Sequence, residues 1–486
     1  IFIIIDALDE CPNTADDRAE LCNILKKIHS WDYDRLHILV TSRKEADLTE
    51  ALQPILTQEP IGIQGRVVNT DIRKYVRTQL RTNPKLSKWS PEIQADIEET
   101  LVEKSGAMFR WAVCQFDSLS KCVCASDIRT ALSSLPRTLD ETYERILINI
   151  PIEYRLKAIT ALQWIVQSKR GPSLTQVADA IVINPNADPA FNLADRLPDP
   201  FWISEFLPGL ITIAAREGLE FVPDTAVRGH DHVVEIAHVS VVEYLKSGRI
   251  LEGPARMFHL EEEQANISVL QGCIHVLRSY THPTNQDRLR NNRGKHLKGP
   301  FSSLESYACN YLYDHVELLK APLKPEVMRM VLDFTLNIDP ILQGNDRALS
   351  LQIRPDWTLK VAKEPCDPLA NGLYLASAWG LNNMVAIFLN YGANVNTRGE
   401  MGTALQYAAR RTGQETFQIL LSAGADVNLQ GDGYGTALQV AASRGFYARV
   451  KMLLDAGADV NLQGGFYGSA LQAARGNQQI VKLLLS

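Results

Sequence analysis

The sequence lacks the features that mark membrane, disulfide-rich and nucleic-acid-binding proteins. None of its apolar runs approaches the roughly 20 residues of a membrane-spanning helix. It has 8 cysteines in 486 residues, scattered and without a C-x-x-C pair, which favours buried thiols in a reducing compartment over a disulfide framework or a zinc site. The formal net charge is only -6, so no excess of positive charge points to nucleic acid or to an anionic membrane. We therefore expect a cytoplasmic protein with neither as a partner.

Length and the first residue bear on the domain organisation. A chain of 486 residues is too long for one hydrophobic core, so about three or four domains are expected. The first residue is Ile, not Met, and it lies inside a strand-like apolar run. We interpret the sequence as a fragment truncated at its N-terminus, which makes the absence of a targeting signal uninformative.

The chain opens with IFIIIDALDECPN, a short apolar run that ends in acidic residues. Ile1 to Ile5 predict a strand buried on both faces, as in a parallel sheet. A helix over 16–29 and a second buried strand ending in TSR follow. Strand, helix and strand form one βαβ unit, and open α/β sheets bind ligands at the carboxyl ends of their strands. Asp6 and the acids after it are therefore candidate site residues, although any strand can end in an acidic turn.

The middle of the chain is mainly helical. Residues 56–150 predict several helices, and residues 151–250 predict helices followed by a β-hairpin, which is typical of a winged-helix domain. Residues 251–365 predict further helices and contain the basic stretch DRLRNNRGKHLKGP. We interpret that stretch as a solvated linker rather than a phosphate contact, because no aromatic residues alternate with its charges. His230 and His232 lie on a predicted loop without a third ligand, so no metal site is expected there.

The last part of the chain, residues 366–486, repeats itself every 33 residues. GTALQYAA begins at Gly402, GTALQVAA at Gly435 and GSALQAA at Gly468. This period with T-x-L-x-x-A is the signature of ankyrin repeats, which bury their cores only against neighbouring repeats. We expect about four repeats in an α-solenoid that binds a protein, the last of them short and incomplete.

Residues one period apart on the repeat edge are candidates for partner binding. Tyr434 and Tyr467 form one such pair, and Gln430 and Gln463 form another. Tyrosines along the edge of a solenoid suit a protein partner. The alternative is a packing ladder within the stack, and both interpretations can hold at once.

The acids at the start predict nucleotide chemistry. A carboxylate at a strand end delivers the hard oxygen ligand that Mg²⁺ needs beside a nucleotide's phosphates. Asp6 would hold Mg²⁺ through water, and Asp9 or Glu10 would orient an attacking water. Arg43, at the end of the second strand, would sense a γ-phosphate.

These segments resemble the NACHT-type signal-transduction NTPases of fungi. IIIDALDECPN and ILVTSR resemble their nucleotide-binding core, whereas SGAMFRWA, LPRTLDETYERIL and AHVSVVEYLKSGRI look like the helical and winged-helix segments of fungal NACHT–ankyrin proteins. The resemblance implies a multidomain, mostly α fold with a partial α/β P-loop NTPase core. The implied domains are the core at 1–55, a helical domain at 56–150, a winged helix at 151–250, a helical linker at 251–365 and ankyrin repeats at 366–486.

The resemblance also implies residue roles. Asp6 becomes the magnesium ligand, Asp9 and Glu10 the acidic pair, and Arg43 the sensor. His238 would touch the β-phosphate of a bound diphosphate and hold a closed state; the alternative is a histidine whose hydrogen bonds are satisfied inside its own domain.

The phosphate-binding loop of that family is absent from these residues. No G-x-x-x-x-G-K-[ST] occurs in the chain, so we expect the loop upstream of Ile1. ATP or GTP with Mg²⁺ would then bind only the full-length protein, and this fragment alone would not hydrolyse nucleotide.

The expected function is a nucleotide-controlled switch with a protein ligand on its ankyrin repeats and homo-oligomerisation on activation. By resemblance, its role would lie in fungal self/non-self recognition. The alternative is an ankyrin scaffold with a degenerate, non-hydrolysing NTPase remnant. A hydrolase with its own small substrate has little support, because no nucleophile–base pair occurs at a recognisable spacing.

Overall fold

In the computed structural model the chain forms two compact units, Ile1–Ala112 and Val113–Ser486. Both are mainly helical, and each of the three sheets among the described residues has two strands. The structure describes residues 2–11, 17–31, 33, 35–57, 59–62, 65–215, 232–281, 303–320, 323–332, 368–399, 402–410, 414–431, 433 and 435–485.

The first unit opens with a βαβ element. Strand β1 (Phe2–Ile5) pairs in parallel with strand β2 (His37–Val40), with Phe2 opposite His37, and helix α1 (Asp17–His29) lies between them in the chain, as the sequence predicts. Two described strands do not establish a P-loop NTPase core, so that part of the predicted fold class is not confirmed.

The two strands are buried on one face only, which corrects the prediction of burial on both. Side chains alternate across a strand, and Phe2, Ile4 and Leu39 on one face are 78%, 69% and 58% exposed. An apolar run alone does not tell how many faces are covered, because that depends on which layers pack around it. The opposite face packs on a small core formed by Leu8, Cys22, Leu25 and Leu48.

Helices complete the first unit. The helices break at Gly106 and Ala107, whose φ angles of 54° and 63° lie outside the right-handed helical region. The helices are α2 (Ala46–Leu52), α3 (Gly65–Thr82), α4 (Pro91–Lys104) and α5 (Phe109–Leu119), the last of which runs past Ala112.

The second unit begins with helices around a β-hairpin. Strands β3 (Ile211–Ala215) and β4 (His232–Ile236) pair antiparallel, as predicted, and Ser173 adds a single bridge to Val233. His232 therefore begins a strand rather than lying on a loop, and His230 is outside the described residues. The helices are α6 (Ala125–Ser133), α7 (Leu139–Ile148), α8 (Ile152–Gln167), α9 (Leu174–Ala180), α10 (Ile203–Phe206), α11 (Val239–Lys246) and α12 (Arg249–Glu252).

Two longer helices lead from the hairpin to the repeats. They are α13 (Glu262–Thr281) and α14 (Ser303–Val316), and a further helical segment covers residues 325–332. The basic stretch singled out in the sequence lies outside the described residues.

The C-terminal region consists of helix pairs stacked in register with the 33-residue period. Gly424 and Gly457 follow helices with φ angles of 81° and 85°, a conformation that glycine adopts without a Cβ clash. The pairs are α15 (Pro368–Trp379) with α16 (Asn382–Asn390), α17 (Ala404–Arg410) with α18 (Glu415–Ser422), α19 (Ala437–Ser443) with α20 (Tyr447–Asp455), and α21 (Ala470–Ala473) with α22 (Gln478–Leu485). Helix α21 is only 4 residues long, in keeping with the shorter last repeat.

One of the hydrophobic clusters of the second unit extends into the repeats, whereas the residues around the β3–β4 hairpin form a separate cluster. One cluster of buried residues extends from Trp164 on α8, through α13 and α14, to Leu484 on α22. The helices before the solenoid thus cover the first repeat as a neighbouring repeat would, which a stack of this kind requires for its end.

A buried polar network lies within this core. His315 is fully buried, with Nδ1 2.7 Å from Asn266 Oδ1 and Nε2 2.8 Å from the Tyr307 hydroxyl. That hydroxyl also accepts the Lys169 N–H at 3.0 Å. Burial lowers the pKa of His315 to about 4 and raises the pKa of Tyr307 to about 12. His315 is therefore neutral at neutral pH and ties α13 to α14.

Candidate functional sites

Polar residues follow both parallel strands at one edge of the sheet, which we call the front edge (residues 6–9 and 41–43). Thr41 joins its two sides through the main chain. Its N–H donates to Ile5 O and its carbonyl accepts the Leu8 N–H, each at 2.9 Å. The carboxyl ends of the strands are therefore held side by side, as the βαβ interpretation requires.

The Thr41 hydroxyl makes two further bonds at the front edge. It accepts the Ala7 N–H at 2.8 Å and donates to Asp6 Oδ1. Ala7 has a left-handed conformation, with φ 51° and ψ 53°, which is uncommon for a residue with a Cβ. A strained turn therefore follows Asp6 directly, and strain of this kind is concentrated at functional sites.

Asp6 is exposed at the front edge, and Thr41 engages one of its carboxylate oxygens. Among the described residues, no three His, Cys, Asp or Glu side chains come together as a metal-binding group. Mg²⁺ is commonly held by one or two carboxylates together with substrate phosphates and water. A single exposed carboxylate beside a hydroxyl fits that donor set, whereas it would not hold a metal ion alone.

Asp9 and Arg43 form an ion pair across the front edge. Asp9 Oδ1 accepts the Arg43 main-chain N–H at 2.8 Å, and Asp9 Oδ2 lies 3.3 Å from Arg43 Nε. The Asp9 side chain is 7% exposed and that of Arg43 is 52% exposed. The structure thus brings these two predicted site residues together, with the Asp9 carboxylate already engaged. Glu10 ends a short 3-10 turn over Leu8–Glu10, and the structure describes its main chain but not its side chain.

Arg18 braces the loop behind the front edge, a role that no sequence motif indicates. It is 7% exposed and donates to the main-chain oxygens of Asp9 at 2.6 Å and Cys11 at 2.8 Å. Its Nη1 also pairs with Glu45 at 2.5 Å and Asp47 at 3.1 Å, which holds the pKa of the Asp47 carboxyl below its usual range. One guanidinium thereby fixes the acidic loop to the start of α2.

His238 is exposed and caps the N-terminus of helix α11. Its Nδ1 accepts the Ser240 N–H at 3.1 Å and lies 2.7 Å from Ser240 Oγ, which is 2.8 Å from the Tyr143 hydroxyl. Since Nδ1 accepts a main-chain N–H, the hydrogen-bond geometry assigns the proton of the neutral ring to Nε2. Nε2 is therefore the donor nitrogen of this imidazole.

The repeats are joined by a buried glutamine that recurs in GTALQ. Gln439 Oε1 accepts the Thr436 N–H at 2.9 Å, while Nε2 donates to Leu462 O at 2.8 Å and Gly468 O at 3.0 Å in the next repeat. A Cβ at Gly435 would lie 1.6 Å from that Oε1, which explains the glycine of the motif. Each side chain thus caps its own helix and bonds to the following repeat. Gln406 repeats the pattern with Leu429 O and Gly435 O.

The predicted partner residues lie on the connecting edge of the repeats. Gln430 Nε2 donates to Gln463 O at 3.2 Å, so this pair contributes to the ladder within the stack. Tyr467 is half-buried, and Tyr434 lies outside the described residues. The residue that the sequence reasoning missed is Phe466, which is 80% exposed on the same edge. The sequence gives no signal for Phe466 as a contact residue, because its exposure depends on the turn that the Gly464–Gly468 bridge closes.

Three parts of the chain match known families. Residues 1–43 match the model described as Nephrocystin 3, N-terminal. Residues 354–431 match Ankyrin repeats (3 copies), and residues 435–465 match Ankyrin repeat. The C-terminal repeats are thus ankyrin repeats, which indicates that the chain binds a protein partner.

A curated relative comes from a fungus. Azaphilone pigments biosynthesis cluster protein L of Monascus ruber is 31% identical over 311 residues, covering 61% of this chain and 61% of the relative. The chain therefore matches about three-fifths of that protein's length. Within the described ranges, no helix is both long and apolar enough to cross a membrane.

Proposed function

We propose that this protein is a nucleotide-controlled signal-transduction switch whose ankyrin repeats bind a protein partner. The observation that carries the proposal is the front edge, where two parallel strands end together, one in the exposed carboxylate of Asp6 and the other in Arg43. The match of residues 1–43 to the Nephrocystin 3 N-terminal model covers this same segment and supports the choice.

The proposed ligand is ATP or GTP with Mg²⁺. Asp6 would hold the metal ion, which neutralises charge on the phosphates, and Arg43 would reach a phosphate through its half-exposed guanidinium. Asp9 would position Arg43 through their ion pair, besides the water-orienting role that the sequence suggests for Asp9 and Glu10.

We place the second nucleotide contact in a winged-helix domain around the β3–β4 hairpin. Helices α8 and α9, the Ser173 bridge and the hairpin follow one another in the order typical of that domain. His238 lies just after β4, and its Nε2–H would donate to a phosphate oxygen of a bound diphosphate. Such a bond would hold a closed state.

The ankyrin repeats would supply the input. The hydrophobic cluster that contains Trp164 of α8 and Ala180 of α9 extends into the repeats, so partner binding would act on two helices of the proposed winged helix. A partner that moves the switch from 1:99 to 99:1 must favour one state by ~5.5 kcal/mol. The edge that carries Phe466, Tyr467 and Gln463 is the proposed contact surface, and the proposed setting is fungal self/non-self recognition.

Equilibrium binding tests this proposal. Fluorescent ATP and GTP are titrated, with and without Mg²⁺, into the protein expressed from its complete gene. Asp6→Asn keeps an acceptor for Thr41 but removes the charge, so the gain in affinity from Mg²⁺ should be lost. Glu20→Gln, an exposed acid on α1, is the matched control and should retain it. Unchanged Mg²⁺ dependence in Asp6→Asn would overturn the assignment.

A second candidate function is an ankyrin scaffold with an inactive front. Each oxygen of the Asp9 carboxylate contacts Arg43, which favours a structural role for that acid. On this alternative, the complete protein binds its partner but gives no nucleotide signal in the titration.

A further inference from the structure

Helices α3 and α4 separate their charges almost completely. Helix α3 contains five basic residues and one acidic residue, whereas α4 contains five acidic residues and one basic residue. The two helices pack against each other through apolar faces, so both sets of charges point outward. The buried residues of these faces are Ile72, Val76, Leu80, Ile93, Ile97 and Leu101.

Among the described side chains, one acid of α4 forms ion pairs with α3. Glu98 pairs with Arg73 at 2.8 Å and with Arg77 at 2.9 Å, and these arginines hold the pKa of the Glu98 carboxyl below its usual range. Among the side chains that the structure describes, the other charges of both helices are exposed.

The exposed charges form two stripes with the same spacing. Lys74, Arg77 and Arg81 form the basic stripe at positions i, i+3 and i+7 of α3, which fall on one helix face. Asp96, Glu99 and Glu103 form the acidic stripe at i, i+3 and i+7 of α4. At 1.5 Å per residue, each stripe is about 10 Å long.

Five of these six side chains form no ion pair with any residue that the structure describes. Within the part of the chain that the structure describes, Lys74 and Arg81 form no ion pair, and neither do the three members of the acidic stripe. Within each stripe, like charges on one helix face repel one another in the isolated chain. Each would gain from a partner that carries the opposite pattern at the same spacing.

We propose that the basic stripe of one copy of this chain docks on the acidic stripe of a second copy. A second copy is the partner favoured here because one chain carries both stripes, and their matching spacing lets each cation face a carboxylate when the helices lie alongside. The contact is heterologous, since two different surfaces meet, so every added copy leaves one stripe of each kind open. Docking of the stripes does not require bound nucleotide.

Exposed ion pairs are individually weak and screened by salt. The association should therefore be of low affinity, dominated by charge and reversed at high ionic strength. A contact held by apolar surface would respond little to salt.

Sedimentation velocity of the whole chain, without nucleotide, tests the proposal. The wild type should associate at low salt and return to monomer at high salt. K74E/R81E and E99K/E103K should each remain monomeric at low salt, because both stripes of each variant then carry the same net sign. An equimolar mixture of the two variants should associate again, since each supplies the sign that the other lacks.

Two controls separate docking from misfolding and from another ligand. K26E/K27E reverses two charges on α1, outside both stripes, and should associate as the wild type does; circular dichroism shows whether each variant is folded. A wild type that stays monomeric at low salt, or a mixture that fails to associate, would overturn the proposal. Loss of binding to phosphatidylserine vesicles in K74E/R81E, with self-association intact, would instead assign the basic stripe to a membrane and also overturn it.

Discussion

At the scale of single residues, Thr41 is the position on which the front edge depends most. Its hydroxyl accepts the Ala7 N–H and donates to Asp6. The sequence marks Asp6 as a candidate because it directly follows an apolar run. It does not indicate that Asp9 pairs with Arg43, because the two residues lie 34 positions apart. The turn at Ala7 brings the Asp9 side chain to Arg43.

Replacing Thr41 with Val tests this role. Val has nearly the same shape, but it leaves the half-buried Ala7 N–H without an acceptor, a loss of about 1–3 kcal/mol in the free energy of unfolding. Thr41→Ser keeps the hydroxyl and should lose less. Urea denaturation measures both variants, and equal losses would show that the hydroxyl is not what holds the turn.

At the scale of elements, the repeats were the most predictable part and the opening strands the least. Helix pairs that pack on one another in the same way follow the 33-residue period. The GTALQ motif therefore predicts both where a helix begins and that it contacts the next repeat. The five-residue opening run occurs once and fits a strand covered on one face or on two.

The glutamine ladder gives a prediction at this scale. Gln439→Leu removes a helix cap and two bonds to the next repeat, leaving buried polar groups unsatisfied. We expect a loss of at least about 2 kcal/mol in the free energy of unfolding. Gln472→Leu is the matched control, because Gln472 is exposed and caps its helix in the same way, but no described residue accepts from its Nε2.

Thermal or urea unfolding compares the two variants. A loss in Gln439→Leu no larger than in Gln472→Leu would mean that the bonds between repeats add nothing beyond the cap.

At the scale of the whole molecule, one hydrophobic cluster of the second unit joins the helices before the solenoid to the repeats, while a separate cluster lies around the β3–β4 hairpin. The sequence indicated separate linker and ankyrin domains, because domain limits are read from changes of pattern along the chain. It did not show that Trp164 and Leu484 belong to the same cluster of buried residues. Nor did it single out His315, since a lone histidine in a helix carries no periodic signal.

His315 predicts how the stability of this unit depends on pH. Its folded pKa of about 4 lies below the unfolded value near 6.5, so protons bind preferentially to the unfolded chain. The stabilisation is complete above pH 6.5 and is lost as pH falls toward 4, by up to about 1.4 kcal/mol per pH unit. Urea unfolding at several pH values should show this slope in the wild type and a smaller one in His315→Gln. The same slope in both proteins would exclude His315 as its source.

The nucleotide content of the purified complete protein tests the central claim most directly. Heat denaturation releases any bound nucleotide, which ion-exchange chromatography identifies and quantifies per chain. We predict one nucleoside diphosphate per chain in the wild type, lost from His238→Ala and retained in the Glu20→Gln control. A wild-type protein that is folded, binds Mg²⁺-nucleotide in no titration and releases none on denaturation would contradict the account.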